Sequence, residues 1–467
     1  MTPATPGADL AARVADHLHA PSPWEVVAER SRRFEVHVQG TTIELERGPI
    51  TVEGYGVRVL RKRGEGVGTG FVASTDFSAK GVESTLKAAE TTSEFTEFPA
   101  KSVDLPAGAQ HAPDVAIVDP QIWSDPAAAV RRYVESLLAA FEGRRGVVPS
   151  FGSVKAVLSE ISVANSAGLR VSFPSTQAEL ELAVKAFGGP EGAPPGEFWV
   201  TDAMRRLAPD SIRSAVDDWC RYAADVRRAK SPPSGDLAVL LPPDVLMGIV
   251  PPVFAGRFTG AGRLRKVAPG VGEVVAAERV TVQDGGDFPW SPGSAPYDGE
   301  GTASSRHTLI DKGKVAGLLY DTLYGAAFDT RSTGNATRRA LGGADGLLFA
   351  SAPHPGTSTV VMPPGDGGSV DELAETAGEG VLVTQLGWAR PDPISSMFGG
   401  EIRIGYRIHH GKVAEPVRGG TVGGVVLAPA GAPSLLAGIQ AIGSRQQLSD
   451  RMAAPPVLVR SLTVAGA

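Results

Sequence analysis

The sequence predicts an α+β fold: an N-terminal α/β region of mixed helices and antiparallel strands, followed by a mainly antiparallel β C-terminal domain. Length is the first indication, because 467 residues exceed the size at which a single hydrophobic core usually stops growing. The two long amphipathic helical patterns both lie before residue 230. Beyond residue 231, short apolar runs are separated by many of the 57 glycines and 37 prolines, which is typical of strands and turns.

The first hundred residues show both kinds of periodicity. Residues 9–19 and 23–31 are predicted to form short helices. Residues 34–39 alternate between apolar and polar side chains, which predicts a half-buried strand. Residues 54–74 contain two strand-like runs around a glycine-rich turn, and a helix is expected from about Ser78, which is a suitable N-cap.

The longest helices and a strand meander come next. Residues 126–142 predict a helix, because Asp125 can cap it and a proline occupies its first position. Residues 154–186 return to alternation, with a turn at 165–168 and a later run back, which predicts an antiparallel meander. Residues 210–229 predict a second long helix.

A proline-rich break at residues 231–235 marks the predicted domain boundary. The sequence therefore divides into an N-terminal α+β domain, 1–230, and a mainly-β C-terminal domain, 231–467. The first of these could comprise two subdomains, 1–110 and 111–230.

One heptapeptide pattern occurs twice in the second half. The sequence IDKGKVA at 310–316 returns as IHHGKVA at 408–414. A glycine beside polar residues between two apolar runs is typical of a tight β-hairpin. We expect two structurally equivalent hairpins in one large antiparallel layer.

Composition excludes several classes of protein. The net charge is −6, with 45 basic and 51 acidic residues, which argues against a nucleic-acid-binding surface. A single cysteine, Cys220, excludes an intrachain disulfide framework. The N-terminus lacks a secretory pattern, and no apolar run is long enough to span a membrane. A cytoplasmic protein is the expectation.

Four segments, in order, resemble the TldD/PmbA family. They are GYGVRV at 54–59, VANSAG at 163–168, the stretch from DGEGT to STGN at 298–335, and the stretch from SMFG to PVRG and Gly423 at 396–423. The resemblance implies a cytoplasmic peptidase that is a heterodimer of two similarly folded subunits. One subunit holds zinc through a His-Glu-x-x-x-His helix and a later cysteine, and the other completes the substrate chamber. Its implied substrates are unfolded peptides, including precursors of modified natural products.

The zinc-motif region indicates which subunit this chain resembles. The motif helix should follow the first strand after the boundary, where residues 238–250 read AVLLPPDVLMGIV. No histidine occurs between His111 and His307, and zinc needs imidazole ligands in this place. The sequence therefore predicts the subunit without zinc or catalytic residues, with zinc in a TldD-like partner.

Adjacent histidines at 409 and 410 are the sharpest alternative metal ligands. The repeated heptapeptide aligns them with Asp311 and Lys312, and neighbouring side chains are expected to point apart. A polar hairpin turn is therefore the preferred interpretation. His307, at the start of a strand, is interpreted as a hydrogen-bonded strand residue.

Other polar groups also receive structural interpretations. Residues 332–335 (STGN) predict a turn with a positive φ angle rather than a nucleophile. The glycines at 64, 66 and 68 join strand to strand, so they predict a hairpin loop and not a phosphate site. The acidic residues at 284, 287, 298 and 300 fit no calcium motif and are expected in a solvated loop.

The resemblance leads to a set of candidate chamber-wall or subunit-contact residues within segments 298–335 and 393–424. They are Asp298, Gly301, Thr302, Ser332, Thr333, Gly334, Asn335, Phe398 and Gly399. The hypothesis is that exposed strand edges of this chain hold an extended peptide while the partner cleaves it. A trimming role in natural-product biosynthesis and a stand-alone, non-enzymatic peptide-binding or regulatory protein remain alternatives.

Overall fold

The computed structural model describes residues 9–108, 111–188, 194–338 and 347–466, and within them the α+β prediction is confirmed. The helices are α1 (Leu10–Ala15), α2 (Ala79–Ser93), α3 (Pro120–Ser124), α4 (Pro126–Phe141), α5 (Ile212–Val226), α6 (Pro243–Arg257), α7 (Gly260–Leu264), α8 (Thr322–Ala327) and α9 (Val370–Ala377). No helix in these ranges has the length and apolar character needed to cross a membrane.

The N-terminal strands are β1 (Trp24–Gln39), β2 (Thr42–Arg63), β3 (Gly66–Ser74), β4 (Val147–Asn165), β5 (Arg170–Ala186) and β6 (Gly196–Met204). The C-terminal strands are β7 (Gly235–Leu241), β8 (Val282–Gly285), β9 (Arg306–Asp311), β10 (Lys314–Val315), β11 (Ala336–Thr337), β12 (His354–Pro355), β13 (Val360–Val361), β14 (Gly380–Gly387), β15 (Met397–His409), β16 (Lys412–Val417), β17 (Thr421–Val425), β18 (Ile439–Ile442), β19 (Gln447–Ser449), β20 (Met452–Ala454) and β21 (Val457–Ala465).

The N-terminal strands form one antiparallel sheet in the order β3-β2-β1-β4-β5-β6. Side chains alternate between its two faces, so even-numbered residues of β1 such as Val36 point to one side. That side packs against α1 and α2 at one end and against α4 and α5 at the other. The odd-numbered residues of β1, including Val27 and Glu29, therefore face away from these helices, toward the C-terminal domain.

The helices with clear capping signals are confirmed. The Ser78 side chain accepts a hydrogen bond from the Gly81 backbone N–H at the start of α2. The Asp125 side chain does the same for Ala128 at the start of α4. Such caps satisfy N–H groups that have no partner within the helix, which is why local sequence identifies these positions.

Two N-terminal predictions are wrong. Residues 23–31 are not a helix but the first half of β1, which is central in the sheet and pairs on both sides. This pairing overrides the helical preference of Glu, Ala and Arg. Residues 170–186 are one continuous strand, β5, which pairs with β4 along its length, so the predicted run back after Phe173 does not exist.

The C-terminal domain contains a closed ring of strands and a second sheet. β14 pairs with both β7 and β15, and the ring continues through β17 and β21 back to β7. The second sheet has the order β10-β9-β8-β13-β20-β19. Helix α6 contacts both, and its Leu246, Ile249 and Phe254 are fully buried in the shared core.

The repeated heptapeptides form equivalent hairpins, as predicted. Both two-residue turns have positive φ angles: 45° and 82° at Lys312 and Gly313, and 50° and 75° at His410 and Gly411. Such turns match the twist of the strands they join. The expectation of one shared layer is wrong, however, because β9–β10 belongs to the second sheet and β15–β16 to the ring.

Candidate functional site

A cavity of about 140 Å³ lies between the odd-numbered face of the N-terminal sheet and three loops of the C-terminal domain. β1, β4 and β5 form its floor, and segments 293–299, 334–338 and 356–358 contribute its walls. The floor side chains are Val27, Glu29, Ser31, Val157, Ser159, Ile161, Val163, Phe173, Ser175 and Gln177. The floor is thus evenly mixed, with five apolar and five polar side chains.

The carboxylate of Glu29 is the acidic group of the floor. Its Oε1 accepts a hydrogen bond from the Ser159 hydroxyl at 2.9 Å, and its Oε2 accepts one from the Leu348 backbone N–H at 2.9 Å. The first donor lies on the neighbouring strand and the second in the C-terminal half. Glu29 therefore joins the sheet to the domain above it.

Asp298 organises the nearest loop. Its Oδ1 accepts hydrogen bonds from the backbone N–H groups of Glu300 and Thr302, and its Oδ2 accepts one from Ala336, all at 2.9 Å. Gly301 has a φ of +81°, and a Cβ there would lie 2.3 Å from a Leu169 methyl group. Both glycine conformation and a close contact with the sheet therefore fix this turn.

Asn335 connects the loops on the other wall. Its amide donates to Asp284 Oδ2 at 2.6 Å, while its Oδ1 accepts from the Thr333 hydroxyl at 2.7 Å. The Ser358 backbone N–H donates to the other Asp284 oxygen at 2.7 Å. The predicted positive φ angle occurs at Gly334, at +74°. The segment is a structural turn of the cavity wall, as its composition indicates.

Burial shifts the pKa of Asp298, in the cavity wall, and of Asp284, behind it, upward. Desolvation raises the pKa of Asp284 to about 7, against the opposing hydrogen bonds from Asn335 and Ser358. Desolvation, with a smaller contribution from neighbouring Glu300, raises the pKa of Asp298 to about 8. Hydrogen-bond donors around both groups favour the ionised form and limit these shifts.

Four fully buried charges connect the two halves of the chain beside the cavity. Arg58 donates to Glu25 at 2.8 Å and to Glu300 at 2.6 Å, and Arg338 donates to the second oxygen of Glu25. Each of these side chains is at most 2% exposed. Desolvation raises the pKa of Glu25, and both arginines oppose that shift. We refer to Glu25, Arg58, Glu300 and Arg338 as the interdomain network.

The predicted solvated acidic loop is therefore wrong for three of its four members. Asp284, Asp298 and Glu300 are buried, whereas the Asp287 side chain is 34% exposed and pairs with Arg306 at 3.0 Å. Buried carboxylates need partners, and here most of those partners are backbone N–H groups or arginines distant in sequence.

Arg205 is a second buried cation at the cavity edge. Its guanidinium donates to the carbonyl oxygens of Ser291, Pro292 and Ser294 at 3.0, 2.9 and 2.6 Å. Burial, together with repulsion from Arg451, lowers its pKa to about 9. The side chain therefore holds the 291–294 loop against the N-terminal sheet.

The predicted chamber-wall residues separate into three groups. Asp298, Gly334 and Asn335 line the cavity, whereas Phe398 and Gly399 lie on β15 outside its lining. Phe398 packs within the C-terminal core. The remaining members stand behind the cavity wall in the same loops: Gly301 and Thr302 in the Asp298 turn, and Ser332 and Thr333, which donate to the Tyr320 carbonyl.

Sequence reasoning missed the interdomain network and Arg205. A signal existed in β1, where charged residues at 25 and 29 share the parity of Val27 and Ser31. In a strand this parity defines one face, but the composition of residues 23–31 also suits a short helix, which is the predicted structure. The partners Glu300 and Arg338 had no local signal, because only the tertiary fold brings them to β1.

His307 does not form an activated pair with Ser305. Its Nε2 lies 2.9 Å from the serine hydroxyl but 2.6 Å from the Thr333 carbonyl oxygen. A carbonyl only accepts hydrogen bonds, so Nε2 carries the proton and cannot receive one from Ser305. His307 is a hydrogen-bonded strand residue, as expected.

The predicted hairpin is present, with His409 at the end of β15 and His410 in the two-residue turn, but the two rings do not point apart. The ring centroids are 3.9 Å apart, and both rings approach Glu379. In the described ranges, Glu379, His409 and His410 are the one group of three His, Cys, Asp or Glu residues whose potential ligand atoms all lie within 4.8 Å of one another. The left-handed backbone at His410 redirects its side chain, which simple strand alternation does not anticipate.

Two family models match this chain. The model described as PmbA/TldA metallopeptidase C-terminal domain matches residues 234–466, and the model for PmbA/TldA metallopeptidase domain 1 matches residues 24–93. A protein named Metalloprotease from Methanothermobacter thermautotrophicus is 26% identical over 380 residues, which cover 80% of this chain and 79% of that protein. A Metalloprotease TldD homolog from Haemophilus influenzae is 27% identical over 32% of this chain and 30% of its own length.

Solved structures share the fold across nearly the whole chain. TldE from Thermococcus kodakarensis aligns with a TM-score of 0.77 and 20% identity, covering 98% of this chain and 99% of its own. A protein described as a putative modulator of a DNA gyrase, from Thermotoga maritima, aligns with a TM-score of 0.79 and 19% identity over 98% of both chains. At these identities the alignments establish the fold, and function must be argued from the residues.

Proposed function

Because this chain belongs to the TldD/PmbA family of metallopeptidases, we propose that it is the non-catalytic partner subunit of a TldD/TldE-type zinc metalloprotease. In this proposal the complex degrades or trims unfolded peptides, and a TldD-like subunit supplies both zinc and the hydrolytic groups. This chain contributes one wall of the substrate chamber and orients the peptide.

Helix α6 carries the proposal. It follows β7, the first strand of the C-terminal domain, where the family resemblance locates the zinc-motif helix. Its residues at the motif region include Leu246, Met247 and Ile249, and it contains no histidine, glutamate or cysteine; its one carboxylate, Asp244 in the first turn, cannot hold zinc alone. Apolar side chains of this helix fill the core instead. These residues do not fit a zinc ion, since zinc binds through imidazole, thiolate and carboxylate groups.

The free edge of β2 supports the peptide-holding role. β2 pairs with β3 only through Tyr55–Arg63, while its preceding residues pair with β1 alone among the described strands. Residues 42–51 are exposed throughout, including Ile43, Leu45 and Ile50 at 39–40%. A long free edge with apolar side chains can add a further strand, and backbone hydrogen bonds make such binding largely independent of sequence.

The cavity supports the same role by a different means. It is bordered by loops that the interdomain network, Asp298 and Arg205 fix against the sheet, so its shape exists before any ligand binds. A preformed site loses less conformational entropy on binding. We assign it to part of an extended peptide that lies along the chamber wall.

The test is co-expression of this chain with a TldD-like subunit that carries the zinc motif, followed by purification and cleavage of an unstructured peptide. We expect a one-to-one complex that cleaves, with neither chain active alone. Replacement of the zinc-ligating histidines of the TldD-like subunit should abolish cleavage without dissociating the complex. Failure to form a complex, or peptide cleavage by this chain alone, would contradict the proposal.

A further inference from the structure

Three side chains with metal-binding atoms converge at the tip of the β15–β16 hairpin. His409 Nδ1 lies 2.9 Å from Glu379 Oε1, and His410 Nδ1 lies 3.6 Å from the same oxygen. The side chains are 42%, 81% and 56% exposed for His409, His410 and Glu379, so an ion can reach them directly from solvent. We refer to these three residues as the hairpin-tip cluster.

Backbone contacts hold the cluster together without the rings. The His410 backbone N–H donates to Glu379 Oε1 at 2.9 Å. The Gly411 N–H donates to the carbonyl of Gly378, the C-cap of α9, at 2.8 Å. The hairpin tip is therefore fixed to the end of α9, and changes to the two imidazoles should leave this attachment in place.

The spacing of the ligand atoms suits a small divalent ion. In a tetrahedral zinc site with bonds of about 2.0 Å, neighbouring ligand atoms are about 3.3 Å apart. The observed separations of 2.9 and 3.6 Å lie on either side of that value. Small side-chain rotations would then be enough to equalise them. Imidazole and carboxylate together favour Zn²⁺ and neighbouring transition metals over Mg²⁺ or Ca²⁺.

We propose that the hairpin-tip cluster is a surface binding site for a divalent transition-metal ion, with Zn²⁺ as the expected ion. Glu379, His409 and His410 supply three ligands, and water fills the open position. The site is independent of the zinc in the proposed partner subunit. It also lies outside the lining of the cavity described above.

Arg407 is the group that competes with the ion. Its guanidinium lies 3.4 Å from His409 Nδ1 and 3.8 Å from a Glu379 oxygen. The same side chain also pairs with Glu415 at 3.3 Å, which gives it an alternative position when a cation arrives. Removing this positive charge with Arg407→Gln should therefore tighten metal binding.

The chain provides a matched control in its other hairpin. Asp311 and Lys312 occupy the equivalent turn positions in IDKGKVA, and that turn has the same pair of positive φ angles. The double variant His409→Asp/His410→Lys copies this sequence into the second hairpin. It removes both imidazoles while retaining residues that already form this turn, so misfolding is not the expected outcome.

The experiment is calorimetric titration of the full chain, without an affinity tag, with Zn²⁺. We expect one equivalent to bind to the wild type, and the double variant and Glu379→Gln to bind at least about tenfold more weakly. Co²⁺ should give the visible absorption of a tetrahedral site in the wild type only. Absence of saturable Zn²⁺ binding to the wild type, or equal binding to the double variant, would overturn the proposal.

Discussion

The interdomain network and the hairpin-tip cluster both place a glutamate between two nitrogen-containing side chains, yet they differ in solvent access. In the network, Glu25 lies between Arg58 and Arg338, and all three side chains are at most 2% exposed. In the cluster, Glu379 lies beside two histidines and is 56% exposed. Buried charges must be neutralised by the protein itself, whereas exposed ones can exchange partners with solvent. The network should therefore determine stability, and the cluster should determine binding.

The largest effect is expected from Arg58→Met. This substitution leaves Glu25 and Glu300 without their shared partner in a buried environment. Removal of one member of a buried charge network typically costs about 3–5 kcal/mol. Urea denaturation should show that loss in the free energy of unfolding.

Arg61→Met is the matched control, because Arg61 lies on the same strand and pairs with Glu94, but its side chain is 51% exposed. It should change stability by less than about 1 kcal/mol. Equal losses in the two variants would show that burial does not distinguish these ion pairs.

Metal binding at the exposed hairpin-tip cluster should also change the stability of the folded chain. Zn²⁺ at 100 times its dissociation constant should raise the free energy of unfolding of the wild type by about 2.7 kcal/mol, because it binds the folded chain. The His409→Asp/His410→Lys variant should show no such increase. Thermal denaturation with and without Zn²⁺ measures both, and stabilisation of the variant would place the ion elsewhere.

The two regions also differ in how far the sequence predicts them. The hairpin turn at 408–414 was predicted from a local pattern of glycine and polar residues, and its backbone has that form. The convergence of His409 and His410 on Glu379 was not, since it depends on a left-handed residue and on the end of α9. Local signals specify turns and helix caps, but they do not specify which distant side chain comes to meet them.

The contacts of the interdomain network are still harder to predict from sequence. The hydrogen-bond donors to Glu25 are Arg58 on β2 and Arg338, and Arg338 lies more than 300 positions away in sequence. No periodicity links such positions. Local patterns predicted the strands and the helices α2, α4 and α5. The family resemblance predicted the cavity-lining residues Asp298 and Asn335. The polar face of β1 can be recognised only when residues 23–31 are known to form a strand, and their composition favours a helix instead.

A pH dependence of stability should follow from Asp284. Its pKa is raised by burial to about 7, whereas the unfolded value is about 3.9. The folded chain then holds a proton that the unfolded chain releases between these values. Stability from this group is present below pH 4 and is lost as the pH rises toward 7, by at most about 1.4 kcal/mol per pH unit.

Asp284→Asn removes this titration, so its free energy of unfolding should vary less between pH 5 and 7 than that of the wild type. Urea denaturation across that range measures the difference. The exposed Asp366 gives the control, because Asp366→Asn should leave the slope unchanged. Identical slopes in wild type and Asp284→Asn would mean that hydrogen bonds from Asn335 and Ser358 keep the carboxylate ionised.

The smallest effect on stability, but a clear one on binding, is expected at the free edge of β2. Ile43→Lys/Leu45→Lys places two charges on a region that is already about 40% exposed, so stability should change by no more than about 0.5 kcal/mol. Lysine on a strand edge opposes the addition of another strand. Affinity of the complex for an unstructured peptide, measured by fluorescence anisotropy, should therefore fall while urea denaturation stays unchanged. The same substitution at the exposed residues Phe95 and Val271, outside β2, should not alter peptide affinity. If peptide binding is unaffected in the β2 variant, the peptide lies in the cavity alone and the strand edge has another partner.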